Sequence, residues 1–229
     1  MTDGAPHLWS HADAVIFTGV FGSGKTEVAI NYALAANAAG VSTCIVDFDI
    51  VTPYFRVGDQ REELQRRGLR VVAPEGRLAS FELPAVSPEV NDVLLDRSLH
   101  VVIDVGGDPE GARLLRTCAE QIARRRCLFL MVVNPFRPAT PSPDEIVAQS
   151  LAIAAEANLS LTGLVANPNI GPLTQADDVV RGAADIRHAA TLLDLPVVML
   201  ALPVALAQTD LGLDVPVLPL ELMIRLPWQ

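Results

Sequence analysis

The sequence has too few cysteines, at the wrong spacing, for a disulfide framework or a cysteine-rich zinc site. Only three occur among 229 residues, no two have the C-x-x-C spacing of a metal-binding pair, and their number is odd. Such thiols serve best as small apolar core residues in a reducing compartment. We therefore expect a cytoplasmic protein with free thiols at Cys44, Cys118 and Cys127.

The sequence is also poor in positive charge and in long hydrophobic runs. Its net charge is −10 and its isoelectric point is about 4.8, so its surface repels nucleic-acid phosphates and we expect no nucleic-acid partner. Residues 1–15 lack the basic and then apolar order of a signal peptide. The apolar run over residues 196–207 is short and interrupted by proline, so we expect no membrane partner and no membrane-spanning segment.

Short apolar segments alternate with longer helical patterns along the whole chain. The predicted strands are mostly continuous apolar runs, as in strands covered on both faces, and they span residues 14–19, 42–49, 70–74, 100–106, 127–133, 161–167 and 196–202. The predicted helices span residues 25–39, 59–67, 88–97, 111–126, 143–157 and 175–194. This order predicts a single α/β domain over residues 1–229, with a flexible tail over residues 1–13 and a central, mostly parallel sheet.

A glycine-rich segment, GVFGSGKT, joins the first predicted strand to the first predicted helix. It matches G-x-x-x-x-G-K-[ST], in which glycines let backbone N–H groups approach phosphate oxygens closely. Lys25 would reach the β- and γ-phosphates, and the hydroxyl of Thr26 would bind Mg²⁺. The positive end of the following helix would point at the anion. We therefore predict that a nucleotide is bound by Gly19, Val20, Phe21, Gly22, Ser23, Gly24, Lys25, Thr26 and Glu27.

Acidic residues follow two of the predicted strands. The segment VDFD contains Asp47 and Asp49, and the segment VVIDVGGD contains Asp104 and Asp108. Ligands of an open parallel sheet bind beyond the carboxyl ends of its strands, so these carboxylates are expected at the same edge as the glycine-rich segment. Asp104 fits an acid of the metal site. The role of Asp108 stays open, because DPEG is also a good helix start.

With the glycine-rich segment, VDFDIVTPYFR resembles the MinD/ParA/CobQ-type P-loop ATPases of the SIMIBI class. The resemblance covers most of the chain and implies a three-layer P-loop NTPase sandwich that uses ATP and Mg²⁺. It implies that Asp47 helps to organise the metal site with Thr26 and Asp104. It also implies that Asp49 positions the attacking water and shares the catalytic role with Lys25.

The resemblance extends to the base and departs from the family at one position. In this family an Asn after a late strand and a segment after the last strand often lie near adenine, which implies that Asn167 and Pro203 contact the base. MinD and ParA carry a second lysine after the first glycine, which reaches the partner's nucleotide in a dimer, and this chain has Val20 there. The dimer chemistry of MinD and ParA therefore does not carry over directly to this chain. A homodimer stays one option, with Arg56 in PYFR as a candidate for the substitute cation.

The sequence thus predicts an ATP-dependent switch that acts on an unknown protein client. Adenine is expected because no aspartate motif that reads guanine appears. One alternative is a phosphotransferase or amidoligase-like enzyme, as in the CobQ and dethiobiotin synthetase group, and another is an adaptor that binds ATP but hardly hydrolyses it. The glycine-rich segment alone also resembles nickel-insertion GTPases, which need Cys/His ligands; the histidines here are scattered, at His7, His11, His100 and His188.

Three further features are less specific. The run Arg124–Arg126 ends a predicted helix, where cations offset exposed carbonyl groups. Arg137 lies in a proline-rich loop, residues 134–145, at the edge of the expected site, where either the nucleotide or a client is in reach. The apolar tail after Val215 contains three prolines that break a membrane-binding helix, so we expect it to pack against the body or a partner subunit.

Overall fold

The computed structural model describes residues 8–48, 57–73, 88–107 and 109–224. The strands of this part are β1 (Ala14–Thr18), β2 (Thr43–Phe48), β3 (Arg70–Val72), β4 (His100–Val105), β5 (Cys127–Val133), β6 (Gly163–Ala166), β7 (Val197–Pro203) and β8 (Val217–Leu220). Its α-helices are α1 (Lys25–Ala38), α2 (Arg61–Arg66), α3 (Pro88–Leu95), α4 (Pro109–Leu114), α5 (Ala119–Ala123), α6 (Pro143–Ala157) and α7 (Ala176–Leu193).

These strands form one sheet in the order β3-β2-β4-β1-β5-β6-β7-β8, and every neighbouring pair is parallel. β1 lies between β4 and β5, and all of its residues are buried. The strands that follow β1 are added first on one side of it and then on the other. Such a reversal of strand order opens a crevice beyond the carboxyl ends of the central strands, where ligands of α/β proteins bind.

Helices cover both faces of the sheet. On one face Val28, Ile30 and Tyr32 of α1 pack in a cluster with Val15 and Phe17 of β1. The other face is covered by α3, α5, α6 and α7, whose buried residues include Val93, Ile122, Ile146 and Ile186. The predicted three-layer α/β fold with a parallel sheet is confirmed. Among the helices described, none is both long and apolar enough to cross a bilayer.

The C-terminal part contains a strand that the sequence analysis did not predict. Residues 217–220 form β8 at the edge of the sheet, parallel to β7. Pro219 argued against a strand here, because proline has no backbone N–H to donate to a neighbouring strand. An edge strand tolerates such a residue. Beyond β8 the chain crosses α1, where Asn31 exchanges hydrogen bonds with the backbone N–H and carbonyl of Glu221. The tail therefore packs against the body up to the last described residue.

The single helix predicted over residues 111–126 was wrong. The chain instead forms α4, a 3-10 turn over Leu115–Cys118, and the short helix α5. The hydroxyl of Thr117 donates a hydrogen bond to the carbonyl of Leu114. Such side-chain bonds to nearby carbonyls compete with regular helix geometry, which is one reason for the interruption.

Part of the predicted flexible tail packs against the domain. Leu8–Ser10 form a 3-10 turn, and the ring of Trp9 lies 5.6 Å from the ring of Tyr32, centroid to centroid. Ala12 is 2% exposed. Apolar contacts therefore hold the chain from Leu8 onward, and the expected flexibility does not apply to residues 8–13.

Candidate nucleotide-binding site

The glycine-rich loop lies between β1 and α1, at the carboxyl edge of the sheet. Gly24 precedes α1 with a φ of +85°, a conformation that favours glycine, and a Cβ there would overlap the amide nitrogen of Asn167. This turn makes Lys25 and Thr26 the first residues of α1, where they are 7% and 6% exposed. The free N–H groups of a helix start attract anions, so the loop has the local structure that binds a phosphate group.

Two neighbouring segments hold this loop in place. On one side the side-chain amide of Asn167, just after β6, donates a hydrogen bond of 2.7 Å to the carbonyl of Ser23. On the other side Gly107 passes so close that a Cβ on it would overlap the carbonyl group of Gly19. The segment that follows Asp104 is therefore in direct contact with the glycine-rich loop. A movement of either segment must displace the other.

Asp47 and Asp104 lie side by side at the ends of β2 and β4. They are register partners on these strands and are 2% and 0% exposed. The residues two positions earlier, Ile45 and Val102, belong to the core cluster beneath α1, so both carboxylates face the side of the sheet on which α1 begins. Oδ2 of Asp47 also accepts a hydrogen bond of 3.0 Å from the backbone N–H of Gly58. The pair is thus fixed by the sheet and by a backbone contact.

The donor set fits a hard divalent cation. Mg²⁺ binds carboxylate and hydroxyl oxygens, and it needs one or two carboxylates when phosphates and water complete its coordination. Asp47 and Asp104 offer two neighbouring carboxylates on the side of the sheet where Thr26 starts α1. A cation between two buried carboxylates would also relieve their mutual repulsion. These three residues are therefore suited to hold Mg²⁺ beside a phosphate chain.

Several buried polar atoms around the loop have no hydrogen-bond partner among the described residues. Within the described part of the chain, the hydroxyl groups of Thr18 and Ser23 and Oδ1 of Asn167 are buried and have no hydrogen-bond partner. Leaving such a group unsatisfied costs about 1–3 kcal/mol, so each case calls for a reason. Here the three groups surround one loop that has the structure of a phosphate site, and a ligand or its water shell would supply partners.

The structure brings Gly19–Lys25, Thr26, Asp47, Asp104 and Asn167 to one edge of the sheet. Within the loop, Val20 is only 5% exposed and packs in the core, whereas Phe21 at the tip is 75% exposed. Pro203 ends β7 at the same edge. Three predicted residues, Asp49, Arg56 and Asp108, lie outside the described residues.

The side chain of Glu27 points to the C-terminal tail. Its carboxylate accepts hydrogen bonds from the backbone N–H of Met223 at 3.1 Å and of Ile224 at 2.7 Å. Burial raises the pKa of the Glu27 carboxyl above its ordinary value, although these two N–H groups oppose the rise. The predicted contact of Glu27 with a nucleotide would therefore come from its backbone in the first turn of α1.

Arg137 is a site residue whose position sequence reasoning did not settle. Its Nε donates a hydrogen bond of 2.9 Å to the carbonyl of Gly22, so the loop after β5 leans over the glycine-rich loop. This loop is fastened by Asn134, which is fully buried and bonds to the backbone of Phe136 and Asn169. The sequence did contain a signal for this position. The polar Asn134 directly follows a buried strand and begins a proline-rich turn.

Comparisons with known proteins place the fold. The structure is similar to FtsY from Mycoplasma mycoides, with a TM-score of 0.55 and 16% identity over 82% of this chain and 59% of that one. It is also similar to the cell division protein FtsY from Thermotoga maritima, with a TM-score of 0.60 and 20% identity over 82% of this chain and 61% of that one. A third similar structure is the signal recognition particle receptor FtsY from Elizabethkingia anophelis in complex with GDP, with a TM-score of 0.52 and 19% identity over 82% of this chain and 56% of that one. The chain thus spans about three fifths of the length of these solved chains.

At these identities the likeness concerns the fold. No protein-family model and no curated protein matches the sequence. The sheet-and-helix arrangement of the FtsY structures is the one that surrounds the glycine-rich loop here. The chain therefore has the α/β fold seen in these FtsY structures.

Proposed function

We propose that the protein is an Mg²⁺-ATP-binding ATPase of the MinD/ParA-like type that acts as a nucleotide-dependent switch on a protein client. One observation carries the proposal. The glycine-rich loop opens α1 with the buried Lys25 and Thr26, on the side of the sheet faced by the register pair Asp47 and Asp104. A cationic phosphate cradle next to two carboxylates is the arrangement that binds a metal–nucleotide complex.

In this proposal the residues act mainly by position and charge. The loop amides and the amino end of α1 bind the phosphates, and Lys25 offsets charge on the β- and γ-phosphates. Bound Mg²⁺ would neutralise phosphate charge, and Thr26, Asp47 and Asp104 would hold it. Asp49 is proposed to orient the attacking water. Catalysis then comes from placing the reactants in a site that already carries the right charges.

The contact between the loop after β4 and the glycine-rich loop supports a switch. Gly107 lies against the backbone of Gly19, so a phosphate that reshapes one loop must also move the other. Both loops lie at one edge of the sheet, where a client can contact them. Order and disorder of such loops upon binding and release of a γ-phosphate is a common switching device.

Adenine is the proposed base. The segment between β6 and α7, residues 167–175, contains no acidic residue that could read the edge of guanine. It contains Asn167, whose amide already supports Ser23, and the nearby end of β7 supplies Pro203. An apolar and amide-lined surface suits adenine better than a base that must be recognised by a carboxylate.

The proposal can be tested at one atom, because Lys25 is the only lysine in the sequence. An acyl-phosphate derivative of ATP transfers its acyl group to a lysine amine near the phosphates. We expect mass spectrometry to find acylation at Lys25, and we expect ATP to block it more strongly than an equal concentration of GTP. Heat-unfolded protein is the control, since its lysine should not be protected by either nucleotide.

Two outcomes would count against this proposal. Acylation of the folded protein that neither nucleotide reduces would contradict nucleotide binding at the loop. Equal protection by ATP and GTP would leave the phosphate site standing but overturn the choice of base. Omitting Mg²⁺ should weaken protection in the parent and have little effect in Asp104→Asn, because that variant lacks a carboxylate of the metal pair.

A further inference from the structure

Arg137 is held rigidly against the phosphate loop. Its backbone N–H donates to the carbonyl of Asn134 at 3.2 Å, and its carbonyl accepts from the N–H of Thr140 at 3.0 Å. The hydroxyl of Thr140 in turn donates to the carbonyl of Asn134 at 2.8 Å. The segment from Asn134 to Thr140 is therefore a closed turn that fixes the starting point of the Arg137 side chain.

Packing against α7 reinforces this turn. A Cβ on Gly182 would lie only 2.9 Å from the ring of Pro135 and 3.3 Å from the ring of Phe136, so α7 approaches this segment as closely as glycine allows. The guanidinium of Arg181 lies over the Phe136 ring, 5.3 Å from its centroid. Little movement is left to the backbone that carries Arg137, which favours a preorganised contact.

The side chain of Arg137 uses one of its donors on the loop. Nε donates to the carbonyl of Gly22 at 2.9 Å, and the side chain would lie 3.5–3.6 Å from a Cβ on Gly22. The ion pairs among the described residues involve other arginines, and none of them includes Arg137. The two terminal nitrogens of a charged, partly exposed guanidinium therefore remain beside the phosphate loop with donors to spare.

We propose that Arg137 binds the terminal phosphate of a nucleoside triphosphate and thereby makes the site prefer the triphosphate over the diphosphate. This inference rests on the proposed nucleotide binding. A guanidinium matches phosphate oxygens in shape and charge and can contact two of them at once. Lys25 reaches the phosphate chain from α1, whereas Arg137 approaches from the opposite loop, so the two cations enclose the end of the chain.

The alternative role is purely structural, with Arg137 holding Gly22 and nothing more. The two roles differ in what a substitution does to different nucleotides. A loosened loop weakens triphosphate and diphosphate alike, because both use the same loop amides. A lost contact to the terminal phosphate weakens only the triphosphate.

The test is calorimetric titration of the full chain with Mg²⁺ plus either a non-hydrolysable ATP analogue or ADP. In Arg137→Ala we expect analogue binding to weaken by roughly tenfold, the loss of a charge-assisted hydrogen bond, and ADP binding by less than about twofold. Arg137→Lys should recover part of the preference, because it keeps the charge but not the planar fork. Arg187→Ala, at an exposed arginine further along α7, is the matched control and should leave both affinities unchanged.

The outcomes separate this inference from the proposed function. Equal weakening of both nucleotides in Arg137→Ala, or no weakening of either, would overturn the role at the terminal phosphate while nucleotide binding stands. A parent protein that binds neither nucleotide would overturn the proposed function and this inference with it. A further supporting result is that added salt weakens analogue binding less in Arg137→Ala than in the parent, since fewer charges then contact the phosphates.

Discussion

The two edges of the sheet both bury charged or titratable side chains, but they complete the hydrogen bonds of these groups differently. At the amino edge the guanidinium of Arg125 is 6% exposed and donates to five backbone carbonyls, those of Asp13, Val93, Leu94, Asp96 and Leu99. At the carboxyl edge, around the equally buried Lys25, the hydroxyls of Thr18 and Ser23 have no partner in the described structure.

In the proposed function, this difference separates a buried charge that serves stability from one that serves binding. Arg125 has five N–H donors and five acceptors, so its site is complete without any ligand. Three of its carbonyl partners, those of Val93, Leu94 and Asp96, lie at the end of α3, so Arg125 caps that helix. The sequence had suggested instead that it caps its own helix. In the proposed function, an anion and its counter-ion would supply partners for the buried hydroxyls of Thr18 and Ser23 at the carboxyl edge.

The largest expected effect is at Lys25. In Lys25→Ala we expect affinity for Mg²⁺-ATP to fall by roughly 1,000-fold, because a preorganised cation that contacts two phosphates is removed. Thermal unfolding without nucleotide should change little, since the amino edge is untouched. Titration calorimetry and a thermal melt measure the two quantities, and a variant that still binds ATP tightly would show that the carboxyl edge is not the nucleotide site.

The reverse outcome is expected at Arg125. In Arg125→Met the free energy of unfolding should fall by about 3 kcal/mol, because several buried carbonyl groups lose their donor at once. The folded fraction should bind nucleotide as before. Urea unfolding gives the measurement, with Arg124→Met as the matched control on the exposed neighbour. A loss of nucleotide affinity without a loss of stability would break the distinction between the edges.

A smaller effect, dependent on pH, is expected at His100 of the amino edge. Its Nδ1–H donates to the carbonyl of Ala12, which leaves Nε2 to accept the hydroxyl of Tyr32, so the ring is neutral. Burial lowers the pKa of His100 to about 4. The unfolded chain takes up the proton near its ordinary value of about 6.5, so this contribution to stability is present above that pH and is lost as pH falls towards 4.

The corresponding measurement is urea unfolding at pH 7.5 and pH 5. Between pH 7.5 and pH 5 the free energy of unfolding of the parent should fall by about 2 kcal/mol more than that of His100→Gln. This is the contribution of one such histidine over this pH range. His188→Gln alters an exposed histidine and should follow the parent at both values. A parent and a His100→Gln variant with parallel pH profiles would contradict a neutral, buried ring.

The smallest effect is expected at Glu27, whose carboxylate accepts hydrogen bonds from the backbone of the tail. Burial raises the pKa of this carboxyl, so the folded state holds the proton more tightly, and the contribution to stability declines as pH rises through the folded pKa. The stability of the parent relative to Glu27→Gln should therefore slope downward from about pH 4 to pH 7. Glu89→Gln, at an exposed glutamate in the first turn of α3, is the matched substitution for comparison.

The sequence predicted the fold well because the fold depends on local pattern, and the phosphate-binding role of the glycine-rich loop is a prediction from the same kind of pattern. Continuous apolar runs between helical segments identify parallel strands, and Gly19, Gly24 and Lys25 occur at a spacing that has one structural use. β8 was missed because Pro219 disfavours a strand everywhere except at an edge, and sequence does not show where the edge lies. The break within residues 111–126 was missed because a local side-chain bond overcame helical periodicity.

The sequence by itself determined that this chain has a parallel α/β sheet and a glycine-rich loop between its first strand and its first helix, because apolar periodicity and glycine spacing act over a few residues. Only the tertiary structure decided that Asp47 and Asp104 are register partners, that Gly107 touches Gly19, and that Arg137 bonds to Gly22. These contacts join segments far apart in the chain, and their closeness is set by the order of strands in the sheet. No short-range pattern contains that order, and the pairing of side chains across the site follows from it.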